Sequence, residues 1–138
     1  MRFMLLVFPE GYEKSGPDHA PTPEAVEKMM KFNAEMQEAG VLLSLDGLHP
    51  PAAGTRVSFT GGKVAVAGGP FPETREAVGG YWIIKVNSPE EAVAWAKRAP
   101  MHHDAVIEVR QVFEMEEFPE DVQKAAGDFP ERMKAGQG

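Results

Sequence analysis

Apolar positions along the chain fall into short runs of strand length and longer stretches stepped by fours and threes. Phe3 to Phe8 is a continuous apolar run, the pattern of a central strand covered on both faces. Pro9 to Pro21 mixes Gly, Pro and charge and reads as a loop. Thr22-Pro23-Glu24 then supplies a capping hydroxyl, a proline suited to a first helical turn and an acid where the helix dipole favours one. Ala25, Met29, Phe32, Met36 and Ala39 follow on one helical face, and Gly40 is the stop, so a helix is predicted over Thr22–Gly40. Val41 to Leu48 reads as a second strand, broken by Pro50-Pro51 and Gly54.

From Thr55 to Ala67 the chain alternates around Gly61-Gly62, which predicts a hairpin. Residues 68–80 form a loop, and Tyr81 to Val86 is a strand rich in aromatic and β-branched residues. Ser88-Pro89-Glu90-Glu91 opens a second helix. Ala92, Trp95, Ala96 and Ala99 form its apolar face, and Pro100 ends it. Ala105 to Phe113 is the last strand. The acidic remainder is expected to hold one short helix between Glu120 and Ala126 and a frayed end.

The order strand, helix, strand, hairpin, strand, helix, strand is the split βαβ pattern with an inserted hairpin, an α+β ferredoxin-like antiparallel sheet. Residues 1–118 are expected to form the domain and 119–138 a tail. Both helices would cover one sheet face. Nothing long enough remains to cover the other, so a two-fold homodimer of the α+β-barrel kind is expected.

The bulk numbers narrow the function classes. With 138 residues, 43% hydrophobic and 25% charged, the chain has one domain's worth of core and is not disordered. A formal net charge of −7 argues against nucleic acid and against an anionic membrane surface as partners. Absence of cysteine removes thiol catalysis, disulfides and cysteine-based metal sites. The apolar opening is shorter than a signal-peptide core, and no stretch nears the roughly 20 apolar residues of a membrane span. A soluble, cytoplasmic protein is expected.

Strand alternation yields the candidate chemistry. If Ile107, Val109 and Phe113 lie under the helices, Glu108 and Arg110 face the other way. Trp82, Ile84 and Val86 likewise face the helices, leaving Tyr81, Ile83 and Lys85 opposite. In the second strand Leu43 and Leu45 turn inward and Ser44 and Asp46 outward. The open face then carries Ser44, Asp46, Tyr81, Lys85, Glu108 and Arg110. Such a set suits a small polar or carboxylated ligand, with Arg110 as the fork for a carboxylate; a salt-bridged dimer interface or a solvated face is the alternative. His49 is the group best suited to proton transfer near neutral pH, with Asp46 as its orienting carboxylate. Spacing of three on a strand separates the two unless Gly47 makes a bulge.

His102-His103-Asp104 reads as a polar turn, since adjacent extended residues point apart, and no metal is expected. The Gly68–Glu73 loop lacks a phosphate-loop ending, and no cofactor is expected. Its Phe71 is expected to anchor the loop on the core.

Gly69-Pro70-Phe71-Pro72-Glu73-Thr74-Arg75-Glu76, followed by Gly79-Gly80-Tyr81-Trp82, resembles the signature of the DGPF branch of the YCII-related family. Ala39-Gly40-Val41, Gly47-Leu48-His49-Pro50, Glu91-Ala92 with Trp95, and Glu108-Val109-Arg110 extend the likeness over residues 1 to about 118. The resemblance implies a ferredoxin-like fold, a dimer, and kinship with muconolactone isomerase and other α+β-barrel proteins. The signature Asp is Gly68 here. Where the wider group carries a His proposed as catalytic this chain has Met29, and Glu38 stands near the family Asp, so the resemblance brings no His–Asp dyad to this chain. The reading is a small-molecule-binding domain open to acid–base chemistry of lyase or isomerase type. A non-enzymatic dimeric ligand sensor or accessory module is the alternative.

Overall fold

The computed structural model describes residues 1–102 and 104–136. The first strand, β1 (Arg2–Phe8), leads through a loop to helix α1 (Pro23–Glu38) and strand β2 (Leu42–Gly47). Strands β3 (Thr55–Thr60) and β4 (Lys63–Gly68) form the hairpin; β5 (Gly80–Lys85), α2 (Pro89–Lys97) and β6 (Val106–Gln111) complete the domain. Two further helices follow, α3 (Glu120–Ala126) and α4 (Phe129–Gly136).

The main sheet has the order β2-β5-β1-β6, each neighbour antiparallel, while β3 and β4 form a separate two-stranded sheet. This is the expected ferredoxin-like α+β arrangement, with β5 inserted between β1 and β2.

Both predicted helices begin on the side chains proposed for them. Thr22 Oγ1 accepts from the Ala25 N–H at 3.2 Å, and Ser88 Oγ accepts from the Glu91 N–H at 3.2 Å. Each cap satisfies one of the amides that a first turn leaves unpaired. α1 ends where the Gly40 and Val41 amides bond back to the Gln37 and Met36 carbonyls. Phe32 and Met36 of α1 and Ala92 of α2 then bury against Phe3, Leu5 and Val7 of β1 and Trp82, Ile84 and Val86 beside them. Leu5 and Ile84, on the two central strands, have no exposed surface.

Four details depart from the sequence reading. Leu43 does not face the helices: it is 50% exposed. Leu42 pairs with Ile84 and Ser44 with Ile83, so Leu43 is the extra residue of a bulge, and Leu42 joins Leu45 against the core in its place. Phe113 is not under the helices either, being 71% exposed and stacked on Phe118 with ring centroids 5.0 Å apart. β6 stops at Gln111, and the strand period ends with it. Ala39, at the end of the α1 stripe, is exposed. The tail carries the expected α3, but its end is the further helix α4 rather than frayed chain.

One polar residue lies inside the described core. Asn33 of α1 is buried, and its Oδ1 accepts from Trp82 Nε1 at 2.7 Å, while Phe32 meets the same indole edge to face at 5.3 Å. A buried N–H that loses its acceptor costs about 1–3 kcal/mol. Asn33→Ala is therefore expected to lower unfolding free energy by at least that much, followed by tryptophan fluorescence in urea. A variant as stable as the parent would show that the indole bond contributes nothing.

Candidate functional site

The alternation of β1 separates two faces. Phe3, Leu5 and Val7 point to the helices, so Arg2, Met4, Leu6 and Phe8 line the open face. Register places the predicted side chains in rows across it. One row runs Ser44, Ile83, Met4, Arg110; the next runs Asp46, Tyr81, Leu6, Glu108. Polar groups therefore stand at both edges of a half-buried strip made by Ile83, Met4 and Leu6. At about 4.8 Å per strand, three spacings separate Ser44 from Arg110 by about 14 Å.

Only some of the expected residues meet. Tyr81 donates its hydroxyl to Asp46 Oδ2 at 2.6 Å. Arg110 and Glu108 form a loose ion pair at 3.9 Å on the exposed edge strand. Lys85 lies at the other end of β5, directly opposite Arg2. Arg2 in turn holds Glu114 through two bonds, Nε to Oε1 at 2.7 Å and Nη2 to Oε2 at 3.1 Å, which draws the Glu114 carboxyl below its usual range. Lys85 thus belongs with Arg2 and Glu114 rather than with Tyr81.

His49 is exposed beyond the end of β2, and among the described residues no hydrogen bond or ion pair joins it to Asp46. The bulge of β2 falls at Leu43, not at Gly47, so nothing turns Asp46 toward it. The carboxylate's partner is the neighbouring strand's phenol. Reading the sequence alone missed this pair because cross-strand neighbours follow from strand order, which no spacing along one chain reveals.

The approach of β2 and β5 at this point depends on Gly80. A Cβ there would stand 2.8 Å from the Asp46 carbonyl oxygen. A side chain would push the strands apart next to the Tyr81–Asp46 bond.

The loop that follows the hairpin is held differently from expectation. Phe71 is half-buried under the Arg56 guanidinium, 4.2 Å from its ring centroid, and Arg56 Nη2 donates to Thr74 Oγ1 at 2.8 Å. Of the predicted polar turn, His103 lies outside the described residues; Asp104 takes a left-handed backbone with φ 60°, which Asp tolerates better than most residues. No group of three His, Asp or Glu side chains converges as metal ligands among the described residues, and no helix there is long and apolar enough to cross a membrane.

A concavity lies on the helix side. A groove of about 410 Å³ runs between α2 and β6, lined by Val93, Ala96, Ala99, Met101, Ile107 and Val109 among others. Lys97 is the ionisable residue of its lining.

The family model for the YCII-related domain matches residues 1–116, which takes in every strand, α1, α2 and all the residues of the open face. No curated protein matches the chain in sequence.

The Tyr81 bond has a titration consequence. The phenol donates to a carboxylate, and ionising it would lose that bond and set two negative charges together, so its pKa is raised. The bond is complete below the ordinary phenol range and is lost as pH rises through the raised value. The chain has two tyrosines, so Tyr12→Phe isolates Tyr81. In that background the ultraviolet signal of phenolate is expected to appear at higher pH than in free tyrosine, and Asp46→Asn is expected to move it down. No movement would mean that the pair does not persist in solution.

Proposed function

From a chain that belongs to the YCII-related domain family, we propose a protein whose open sheet face binds a small carboxylated ligand and handles a proton on it, covered by a second copy of the chain. The observation that carries this reading is the Asp46–Tyr81 pair, placed beside the apolar strip of Ile83, Met4 and Leu6 with Arg110 on its far side. A carboxylate held by an oriented phenol is a fixed proton acceptor. Arg110 supplies a planar, permanently charged fork for the ligand's own carboxylate. Apolar ligand atoms would lie between them on the strip.

In this reading Asp46 takes a proton from the bound molecule and returns it elsewhere, the elementary act of lyase and isomerase chemistry. Exposed beyond the end of the same strand, His49 is the second proton carrier. Ser44 and Glu108 flank the strip as polar contacts, and Lys85, with Arg2, keeps that end of the face cationic.

Residues 1–118 are the ligand-binding unit, and Gly69 to Glu76 with Gly79-Gly80-Tyr81-Trp82 support membership of the DGPF branch. A homodimer is supported by the half-buried apolar strip, which one chain leaves open to water. Absence of cysteine supports the cytoplasm as its location. The second reading, a non-enzymatic dimeric sensor or accessory module, is favoured by one observation: His49 has no bond to Asp46 among the described residues.

Arg110 decides between ligand and interface. Its side chain is exposed in one chain and only loosely paired, so Arg110→Ala is expected to leave the fold intact. Calorimetric titration with a set of small mono- and dicarboxylates (acetate, benzoate, succinate) is expected to show binding that this substitution weakens by about 1.5–3 kcal/mol, the scale of a charged hydrogen bond. Dissociation or unfolding of the variant, with no carboxylate bound by the parent, would overturn the ligand reading and leave Arg110 as an interface residue.

A further inference from the structure

The bond between Asn33 and Trp82 has a second half that reaches the surface. An indole N–H can only donate, so the Asn33 carboxamide turns its oxygen to Trp82 and its nitrogen the other way. That nitrogen donates to Met30 Sδ at 3.7 Å, one turn back along α1. No buried side-chain nitrogen or oxygen among the described residues lacks a partner, and for Asn33 Nδ2 the partner is this thioether. Asn33 is 7% exposed, whereas Met30 is 55% exposed, the most open of the chain's eight methionines. A buried amide donor therefore relies on a weak acceptor that stands in reach of solvent.

We propose that Met30 is a redox-sensitive modification site: hydrogen peroxide converts its thioether to the sulfoxide, and the new oxygen takes over as the acceptor for Asn33. In this step a sulfur lone pair attacks one peroxide oxygen, so an S–O bond forms and the O–O bond breaks. The proton on the transferred oxygen passes to the departing hydroxide. Sulfur gives up two electrons and the peroxide is reduced to water, with no further reactant needed.

Geometry favours the exchange of acceptors. A sulfoxide oxygen lies about 1.5 Å from sulfur; accepting at about 2.9 Å, with an angle of about 120° at oxygen, it sets sulfur about 3.9 Å from the donor. Met30 Sδ already lies 3.7 Å from Asn33 Nδ2, so the backbone of α1 need not move. The unbranched side chain absorbs the small difference. A sulfoxide oxygen carries far more negative charge than a thioether sulfur and makes the stronger bond. It also polarises the carboxamide whose oxygen holds the Trp82 indole, which strengthens that bond in turn. Oxidation at Met30 thus tightens α1 onto β5. The same reaction at Met36, which has no exposed surface, would place a polar group in the core.

The test treats the chain with dilute hydrogen peroxide and locates each added oxygen by fragment mass spectrometry, which separates Met30 from Met29. Met30 is expected to gain one oxygen while the buried Met36 gains none. Urea unfolding of the treated chain is expected at a higher midpoint. The Trp82 indole N–H, followed by its own magnetic resonance signal, is expected to exchange with deuterium several-fold more slowly. Met30→Gln, whose amide oxygen stands where the sulfoxide oxygen would, is expected to reproduce both changes without peroxide. Met30→Leu offers no acceptor, and at this exposed position it leaves the core packing intact. It is expected to lower the midpoint, to speed Trp82 exchange several-fold and to abolish the gain on treatment.

Three results would overturn the proposal: a Met30→Leu chain that matches the parent in both midpoint and Trp82 exchange; a treated parent that unfolds earlier and exchanges faster, as Met30→Leu does, which would mean that the oxygen turns to water and the bond is lost; or oxidation of Met36 with Met30 unmodified. None of these measurements involves a ligand, so their outcome is separate from that of the open face.

Discussion

The bond between the Trp82 indole and Asn33 sets the geometry on which the open face depends. It ties α1 to β5, one of the two central strands, by a directional contact inside an otherwise apolar layer. Hydrophobic burial alone is non-directional and would accept a rotated helix or a strand shifted along its neighbour. An indole N–H without its acceptor is penalised wherever the packing slips. With Trp82 held inward, strand geometry sends Tyr81 to the opposite face. Adjacent residues of β5 thus serve two purposes, one sealing the core and the other bonding Asp46 outside it.

A sheet covered by helices on one face only must leave the other face to water or to another molecule. Here that face is neither wholly polar nor wholly apolar. Ser44, Asp46, Glu108 and Arg110 sit on the outer strands, Tyr81 and Lys85 on β5, and the half-buried Met4, Leu6 and Ile83 occupy the middle. Polar groups at the edge of an apolar strip can select a ligand as well as a partner, because the strip excludes water from contacts made beside it. The hairpin presents a similar problem away from the main sheet, with its apolar pairs facing solvent. Both features leave apolar surface of the single chain open to water.

Much of this was readable in the sequence wherever the information is local. The continuous apolar run of β1, the Thr22 and Ser88 caps and the Gly61-Gly62 turn each specify their element through neighbouring residues, and each element is present. The outward placement of Ser44 and Asp46 was correct, although Leu43 beside them was not. A bulge adds one residue without altering composition, so simple alternation counts correctly from only one side of it. Phe113 was misplaced because the strand period was carried two residues past the end of β6. α4 carries apolar Phe129 and Met133 one turn apart, too few positions to distinguish a helix from polar tail.

The site shows where local reading stops. Six of the seven candidate residues were named from parity and His49 from its chemistry, but parity assigns a face and not a neighbour. Asp46 was paired with His49, three positions along, when its partner is Tyr81, 35 positions away. That contact exists because β5 lies between β1 and β2, an order decided by the crossover of α1 and by closure of the core. The Gly-Gly-aromatic portion of the family-like motif has a physical reason in this arrangement. Gly80 lets the β2 backbone come close, Tyr81 reaches Asp46 across the gap, and Trp82 fastens the strand from behind. Changing Gly80 or Trp82 would disturb the core and the open face together, since β5 is the strand through which packing on one side positions the polar groups on the other.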